Sequence, residues 1–314
     1  MSSLSLRVQQ IESLTPRIRR MLLVSSNAQR LPGFTAGAHL ELHVPGHRAQ
    51  RRAYSLVNLP DGEHYEIAVQ LEETSTGGSR WVHSLKVGDE LLADAPRNHF
   101  PLCENTEHAL LIAGGIGITP MLSMARSLQA AGKPFTLHYA GRDEAQMAYL
   151  PEARACLDHH CWISGGNPQK RFPAAEILAS PRPGLHLYIC GPTALLNSVL
   201  ACAREQGWAE DHLHYELFSG ALELAGDHGF EVHLRESGVS LQVASGQSVL
   251  DAMLAAGLDP MFDCRRGDCG VCVVQVIDGQ PDHRDICLSA RDRASGNFCT
   301  CVSRASSALL VLDL

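Results

Sequence analysis

The sequence lacks a long apolar run, and this absence argues against a membrane-spanning helix. The longest apolar stretch, residues 109–118, is interrupted by glycines and is too short to cross a bilayer. Internal repeats and low-complexity tracts are also absent, so we expect no repeat array. With 314 residues, of which 45% are hydrophobic, the chain is long enough for two or three packed domains.

Basic residues are in the minority. The chain has 26 Lys and Arg against 34 Asp and Glu, a net charge of −8, so we expect no nucleic-acid partner. Residues 229–314 contain no lysine, seven arginines and eleven acidic residues, which gives a net charge of −4. This acidity either steers the segment toward a basic partner surface or is ordinary solubility charge.

A secretory leader is not recognisable, although the sequence contains 11 cysteines. Thiols in this number without a leader predict a protein of the reducing cytoplasm. A disulfide framework is therefore not expected, and the spacing of the cysteines becomes the informative feature.

Three cysteines have the spacing of a plant-type iron–sulfur protein. Cys264, Cys269 and Cys272 follow the pattern C-x₄-C-x₂-C, which is typical of 2Fe–2S ligands. Gly267 and Gly270 lie between them and allow the backbone to approach the sulfur atoms closely. A zinc site usually pairs two C-x₂-C units, and the sequence has no second unit. The pattern predicts a 2Fe–2S cluster, which carries one electron at a time.

The fourth cluster ligand has to come from farther along the chain. The candidates are Cys287, Cys299 and Cys301. We favour Cys301, because it opens a short segment that leads into the strand-like residues 308–314. Cys299, two residues earlier, is the main alternative.

The segment around these cysteines has the element order of a β-grasp ferredoxin domain, which we place at residues 229–314. Ser248 is a suitable N-cap for a helix, and Gly257 is a suitable stop. The predicted elements are strands over residues 230–234 and 240–243 and a helix over residues 249–256.

The first third of the chain, residues 1–104, is expected to be all-β. Short runs of alternating polarity at residues 4–8, 39–44 and 65–71 are separated by turns that contain proline and glycine. Short strands at regular intervals predict a small closed barrel, the candidate flavin domain.

Residues 105–222 alternate between strands and helices, which predicts an α/β nucleotide-binding domain with a parallel sheet. Residues 221–228 form a predicted linker to the ferredoxin domain. The predicted elements are strands over residues 109–113, 135–139 and 185–189 and helices over residues 120–131 and 192–206.

A candidate flavin strand carries Arg52, Tyr54 and Ser55. A flavin needs an aromatic or apolar platform, a hydrogen-bonding group near its ring and a cation for its phosphate, and these three residues supply all of them. Alternation along the strand places Arg52 and Tyr54 on one face. Taken alone, the strand is equally well explained as a surface strand with a core tyrosine.

A second element makes flavin binding the preferred interpretation. Residues 77–83, with the sequence Gly-Gly-Ser-Arg-Trp-Val-His, predict a turn that opens a short helix. Free N–H groups at such a position bind phosphate. Ser79 and Arg80 would add side-chain donors.

A candidate nicotinamide site combines two motifs. Residues 114–120, with the sequence Gly-Gly-Ile-Gly-Ile-Thr-Pro, follow a buried strand and open a helix, although they are not the G-x-G-x-x-G of dehydrogenases. Cys190-Gly191-Pro192 follows another strand, where ligands of open α/β sheets bind.

The other cysteines and histidines show no clear pattern of a metal site. Cys190 is either a site residue or an inert core thiol, and the latter is what we expect of Cys103, Cys156, Cys161 and Cys202. None of the 16 histidines shows metal-ligand spacing, and the pair His159-His160 beside Cys156 and Cys161 is only a weak candidate.

In this order, the motifs resemble those of the phthalate dioxygenase reductase family, which includes vanillate demethylase reductases. The resemblance covers almost the whole chain and extends to residues 96–100 and 301–305. It implies FMN rather than FAD, hydride transfer from NADH, and delivery of electrons to a Rieske-type oxygenase.

The resemblance also implies roles for individual residues. Phe218 would be the aromatic residue that packs near the flavin ring. NADH would face Gly115, Gly117, Thr119, Cys190 and Pro192. FMN would be held by Arg52, Tyr54, Ser55, Gly78, Ser79 and Arg80.

The choice between NADH and NADPH depends on two neighbouring residues. Arg142 would clamp a 2′-phosphate and favour NADPH. Asp143 beside it would repel that phosphate. We therefore expect NADH.

The three cofactors imply one path for electrons. A hydride carries two electrons together and a 2Fe–2S cluster accepts one, so the flavin has to stand between them. Plant-type clusters have reduction potentials of about −400 mV, and Rieske centres have potentials of about −150 to +300 mV. Electron transfer from the cluster to a Rieske centre is therefore favourable. We expect no catalytic acid, base or nucleophile, because the chemistry belongs to the cofactors.

Two alternatives stay open. The chain would be a reductase for a diiron or haem oxygenase, or it would be an electron-transfer or redox-sensing subunit of a larger complex. The full sets of flavin and NADH residues argue against the second.

Overall fold

The computed structural model describes residues 3–45, 51–72, 77–167, 169–218, 227–263, 265, 267, 269–285 and 287–314. The predicted ligand Cys264 and residues 221–226 of the predicted linker lie outside the described residues. The chain divides into two compact units, Met1–Glu216 and Leu217–Leu314.

The first unit begins with a six-stranded antiparallel sheet that curls into a barrel. Its sheet order is β4-β3-β6-β1-β2-β5. Leu56, just past β4, bridges to Ile67 of β5, and Val57 N–H donates to the Glu66 carbonyl at 2.9 Å, which brings the two ends of the sheet together. The predicted barrel is thus confirmed. Its elements are β1 (Leu4–Ser13), β2 (Ile18–Ser25), β3 (His39–His43), β4 (Arg51–Ser55), β5 (His64–Gln70), α1 (Gly78–Ser84) and β6 (Glu90–Ala93).

A five-stranded parallel sheet follows, as the alternation of strands and helices predicts. Its order is β11-β10-β7-β8-β9. The chain runs outward from β7 in one direction through β8 and β9, and then in the other through β10 and β11. A topological switch point, where open sheets bind ligands, therefore lies between β7 and β10. The elements are β7 (His108–Gly114), α2 (Ile118–Ala130), β8 (Phe135–Gly141), α3 (Leu150–Arg154), β9 (His159–Ile163), α4 (Ala174–Ile177), β10 (Leu185–Cys190), α5 (Thr193–Glu205) and β11 (Leu213–Glu216).

The barrel and the parallel sheet share one hydrophobic core. Ile18, Val57 and Ala68 of the barrel lie in the same buried cluster as the residues of α2 and β7. The Arg126 side chain on α2 also donates to the Val57 carbonyl at 2.8 Å. These contacts explain why the two sheets form a single compact unit.

The second unit is a β-grasp fold. The sheet order is β13-β12-β18-β14-β16, and β12 and β18 run parallel. The predicted helix begins as expected, because the Ser248 hydroxyl accepts from Asp251 N–H at 3.0 Å, and Gly257 follows with a φ of 80°. The elements are β12 (Phe230–Leu234), β13 (Val239–Val243), α6 (Val249–Ala255), β14 (Val273–Asp278), β15 (Pro281–Asp282), α7 (Ala290–Ala294), β16 (Asn297–Cys299), β17 (Arg304–Ala305) and β18 (Leu309–Leu312).

The helices of both units are short. The longest, α2 and α5, have 13 residues each. Across the described ranges, no helix combines the length and the apolar character that a membrane crossing requires.

Candidate functional site

The two predicted nicotinamide motifs meet at the switch point of the parallel sheet. A 3₁₀ turn, Gly115–Gly117, links β7 to α2, and Cys190 ends β10. The two strands are hydrogen-bonded neighbours, with Cys190 paired to Ala113. Because parallel strands end at the same edge, the loops after β7 and β10 lie side by side.

Glycine is required there by close contact between backbones. A Cβ atom on Gly117 would lie 2.2 Å from the Cys190 carbonyl oxygen, and one on Gly191 would lie 2.8 Å from the Gly114 Cα. Gly115 differs, because its φ is 54° and the space beside it is open. The two loops therefore touch because three positions are glycine: Gly114, Gly117 and Gly191. Gly115 instead borders open space.

The other predicted nicotinamide residues differ in their access to a ligand. Thr119 is buried, and its hydroxyl donates to the Ile116 carbonyl at 3.0 Å. Cys190 is also buried, whereas Pro192 is exposed at the start of α5. Thr119 and Cys190 consequently shape the two loops, and Gly115 and Pro192 line their accessible side.

The two predicted flavin elements are in contact. A Cβ atom on Gly78 would lie 2.7 Å from the Cγ of Arg52, so the arginine side chain rests against this glycine. The Ser79 hydroxyl accepts from Glu72 N–H at 3.1 Å, which ties the start of α1 to the chain just past β5. Arg80 is exposed. The two elements thus carry two arginines and a hydroxyl, of which the Ser79 hydroxyl is buried.

Tyr54 and Ser55 are held by the barrel. The Tyr54 ring packs against the barrel core, and burial raises the pKa of its phenol to about 12. Ser55 is buried opposite His39 on β3. The phenol is therefore neutral at pH 7 and offers both a ring face and a hydrogen-bonding hydroxyl.

Three buried thiols converge in the second unit. The Sγ atom of Cys299 lies 3.2 Å from that of Cys272 and 3.7 Å from that of Cys301. All three sulfur atoms lie within 4.8 Å of one another. Cys269 and Cys287 are half-buried. The spacing of the cysteines did not reveal that Cys299 lies this close to Cys272.

The environment of the thiols suits thiolate ligands. Hydrogen bonds from the Cys299 thiol, and next from the Cys301 thiol, lower the pKa of Cys272 to about 3. Contact with the Cys272 sulfur raises the pKa of Cys299. Cys272 therefore loses its proton more readily than an ordinary cysteine, and the thiolate is the form that binds iron. These donors fit an iron–sulfur cluster.

Three described residues in or beside the loop of the first thiols have a left-handed backbone conformation, and two of them are glycines. Gly267 and Gly270 have φ values of 79° and 74°, and Arg265 between the cysteines has a φ of 57°. A Cβ atom on Gly267 would lie 2.5 Å from the Val302 side chain. Glycine at this position lets the loop approach the segment that contains Cys301.

Asp285 is a residue of this site that the motifs did not indicate. Its buried carboxylate accepts from the Ser303 hydroxyl at 3.0 Å and from Leu288 N–H at 3.1 Å. Cys287 N–H donates to the Gly267 carbonyl at 3.1 Å. Asp285 and Cys287 therefore connect the residues after Cys301 to Gly267 of the cysteine loop.

The remaining predicted residues lie near the ends of strands. Phe218 follows β11 by two residues, and its ring is exposed. Arg142 and Asp143 follow β8 and are also exposed, and the Asp143 carboxylate accepts from Ala145 N–H at 3.2 Å. A 2′-phosphate beside Arg142 would thus meet a fixed negative charge, in agreement with NADH.

A flavin-type barrel, a nucleotide-binding parallel sheet and a β-grasp unit with converging thiols define a class: the pyridine-nucleotide-dependent iron–sulfur reductases. A family model described as 2Fe-2S iron-sulfur cluster binding domain matches residues 232–306, and one described as Oxidoreductase NAD-binding domain matches residues 111–161.

Individual proteins match over nearly the full length. The vanillate O-demethylase oxidoreductase of a Pseudomonas species is 43% identical over 298 residues, 93% of each chain. The heme-dependent oxidative N-demethylase beta subunit of Ectopseudomonas mendocina is 41% identical over 315 residues, 99% of each chain. The solved structure of phthalate dioxygenase reductase has a TM-score of 0.73 and 35% identity, and the match covers 100% of this chain and 98% of that one.

The chain therefore belongs to the family of vanillate O-demethylase oxidoreductases and phthalate dioxygenase reductase. It is an NADH-dependent iron–sulfur oxidoreductase, the reductase component of an oxygenase system. Its cofactors are FMN, NADH and a 2Fe–2S cluster, as the sequence predicts.

Proposed function

We propose that this chain delivers electrons from NADH, through FMN and the 2Fe–2S cluster, to a Rieske-type terminal oxygenase. The observation that carries the proposal is the group of buried thiols around Cys272, in the same chain as a nucleotide-binding sheet. When bound, the flavin takes up the two electrons of a hydride and the cluster carries them singly. A plant-type cluster with a reduction potential of about −400 mV reduces a Rieske centre spontaneously.

The residues of the chain bind and orient the cofactors. The contact between Arg52 and Gly78 supports a phosphate site on the barrel, and the neutral Tyr54 phenol supports a place for the flavin ring. Phe218 is proposed to pack near that ring. We assign FMN to Arg52, Tyr54, Ser55, Gly78, Ser79 and Arg80, NADH to Gly115, Gly117, Thr119, Cys190 and Pro192, and the cluster to Cys264, Cys269, Cys272 and Cys301.

The oxygenase is proposed to dock beside the cluster loop. Met261, Phe262 and Val271 flank this loop, and 78% of Met261, 37% of Phe262 and 40% of Val271 is exposed. Apolar side chains at a surface are typical of the centre of an interface. The net charge of −4 over residues 229–314 favours a basic face on the oxygenase.

Anaerobic electron transfer tests the proposal. The holoprotein is mixed with NADH and an oxidised Rieske oxygenase, and the Rieske centre is followed by electron paramagnetic resonance. We expect stoichiometric reduction within seconds, and none when NADH is left out. Bleaching of the flavin by NADH without reduction of any Rieske oxygenase tested would contradict the proposal.

A haem oxygenase is the second candidate partner. It is supported by the 41% identity to a beta subunit whose name specifies a heme-dependent N-demethylase. Substituting a haem oxygenase in the same experiment separates the two, because haem reduction is followed at its Soret band. Faster reduction of the haem protein than of the Rieske protein would favour this candidate.

We also propose a cytoplasmic location. None of the ten cysteines in the described ranges forms a disulfide, which fits a reducing compartment. Cell fractionation with detection of the chain tests this, and recovery outside the cytoplasm would contradict it.

A further inference from the structure

A cysteine and two histidines far apart in the sequence lie together on the parallel sheet. Cys103 and His214 are 111 residues apart, and His186 and His214 are 28 residues apart. The ligand atoms of all three side chains lie within 4.8 Å of one another. We propose that Cys103, His186 and His214 form a binding site for a divalent cation of the zinc class.

The pairing of β10 and β11 places the two imidazoles. Tyr188 pairs with His214 across these strands, and alternation puts His186 on the same face as Tyr188. The His186 ring stacks with the His214 ring, and its Nδ1 lies 2.9 Å from Nε2 of His214. The ring of His212 stacks on His186 with a centroid separation of 4.3 Å.

The segment before β7 brings the thiol to this face. Cys103 N–H donates to the Tyr188 hydroxyl at 2.9 Å, and that hydroxyl also lies 2.9 Å from the hydroxyl of Thr106. These bonds hold the Cys103 Sγ atom 3.6 Å from Nε2 of His214. The hydrogen bond of the Cys103 backbone N–H therefore fixes the position from which its thiol extends.

The distances suit a tetrahedral metal. Zinc bonds of about 2.0 Å to nitrogen and 2.3 Å to sulfur separate the ligand atoms by about 3.3 Å for two nitrogens and about 3.6 Å for nitrogen and sulfur. The separation between Cys103 Sγ and His214 Nε2, 3.6 Å, is close to the second value, and the same sulfur lies 3.9 Å from Nδ1 of that ring. The two imidazole nitrogens, now 2.9 Å apart, would move apart by a few tenths of an ångström. A water molecule completes the set, as at zinc sites with three protein ligands.

The chemical types of the donors also suit a cation. Imidazole nitrogen and cysteine sulfur are both ligands that zinc accepts. His186 is 1% exposed, and Cys103 and His214 are half-buried, so the three donors are largely shielded from solvent. Thiolate and imidazole ligands select zinc over magnesium or calcium.

This site is separate from the nucleotide site. His186 and His214 are each the second residue of their strands, at the amino edge of the parallel sheet. Gly115 and Cys190 lie at the opposite, carboxyl edge. A cation there would pin the segment that contains Cys103 to the sheet and would not touch the nicotinamide.

Zinc stoichiometry and thiol protection test the site. The holoprotein, with its cluster intact and verified by iron content, is equilibrated with zinc after treatment with a chelator and passed through a desalting column. We expect one tightly held zinc ion per chain, lost in His214→Ala and retained in the matched control His160→Ala. His160 is an exposed histidine on β9, which also stacks on a neighbouring histidine.

The labelling of Cys103 gives a readout on the unmodified chain. We expect zinc to slow alkylation of Cys103 by at least about tenfold while leaving the half-buried Cys161 unaffected. Reduction of ferricyanide by NADH should be unchanged in His214→Ala, which verifies its fold. Zinc content that is equal in His214→Ala and the parent, or alkylation of Cys103 at the same rate with and without zinc, would overturn the proposal.

Discussion

At the scale of single residues, the sulfur atoms around Cys272 define what the second unit does. Cys299 ends strand β16, whereas Cys301 lies in the turn that follows. A ligand in a turn adjusts its direction more easily than one held in a strand. The Cys299 sulfur lies 3.2 Å from the Cys272 sulfur, and hydrogen bonds to the sulfur atoms tune the potential of a cluster.

Replacing Cys301 with serine is expected to remove the cluster, because the fourth ligand is lost. Iron should fall from about two atoms per chain to near zero. Cys299→Ser is the matched control and should keep its iron. Iron analysis and electron paramagnetic resonance of the reduced protein measure both, and the reverse pattern would make Cys299 the ligand.

Replacing Arg52 with alanine is expected to weaken FMN binding by roughly tenfold to a hundredfold, because a charge-assisted hydrogen bond contributes about 1.5–3 kcal/mol. Arg51→Ala is the control, since Arg51 is adjacent and pairs with Asp94 at 3.0 Å. Fluorescence titration of the apoprotein with FMN gives the two dissociation constants. Equal weakening in both variants would remove Arg52 from the flavin site.

At the scale of elements, strand ends and loops carry the binding surfaces. The helix after the glycine turn begins at Ile118, two residues before the predicted start at Pro120. Proline is tolerated there because the first turn of a helix has no acceptor for its N–H groups. The polarity pattern did not reveal the strands β9 and β11, which are the two edges of the parallel sheet. β9 contains two histidines and β11 contains one.

Replacing Gly117 with alanine is expected to separate the loops after β7 and β10, since the new Cβ would lie 2.2 Å from the Cys190 carbonyl oxygen. Overpacking of this kind costs about 1–3 kcal/mol. The KM for NADH should rise several-fold in ferricyanide reduction, and the melting temperature should fall.

The control for this substitution is Gly33→Ala. Gly33 has open space around it and no positive φ, so both quantities should stay unchanged. A folded Gly117→Ala protein with the parental KM would show that the contact between these loops does not matter for NADH.

At the scale of the whole molecule, one chain unites the entry of a hydride with the exit of single electrons. The barrel and the parallel sheet share a core in one unit, and the thiols lie in the other. A partner that takes electrons has to approach the second unit. The domain limits proposed from the sequence, at residues 104, 222 and 229, stay predictions.

Replacing Met261 with aspartate is expected to lower kcat/KM for the oxygenase by about fivefold or more, because a central interface side chain contributes over about 1 kcal/mol. Ferricyanide reduction should be unaffected. Leu157→Asp, at an exposed leucine of the first unit, is the control and should leave both activities intact. Equal loss in the two variants would contradict docking beside the cluster loop.

Short-range patterns in the sequence were sufficient for much of this protein. The C-x₄-C-x₂-C spacing indicated the cluster, Ser248 marked the start of a helix, and alternating polarity predicted the barrel. Each of these depends on residues that are close in the chain, where periodicity and capping act.

Contacts between segments that are distant in the sequence are visible only in the tertiary structure. The packing of Arg52 on Gly78, the approach of Gly117 to Cys190, and the meeting of Cys103 with His214 join residues that no spacing relates. Sheet pairing and core packing bring such residues together, because the hydrophobic effect buries surface without regard to separation along the chain. The local sequence therefore determines which cofactors are possible, and the packing of sheets determines which side chains meet them.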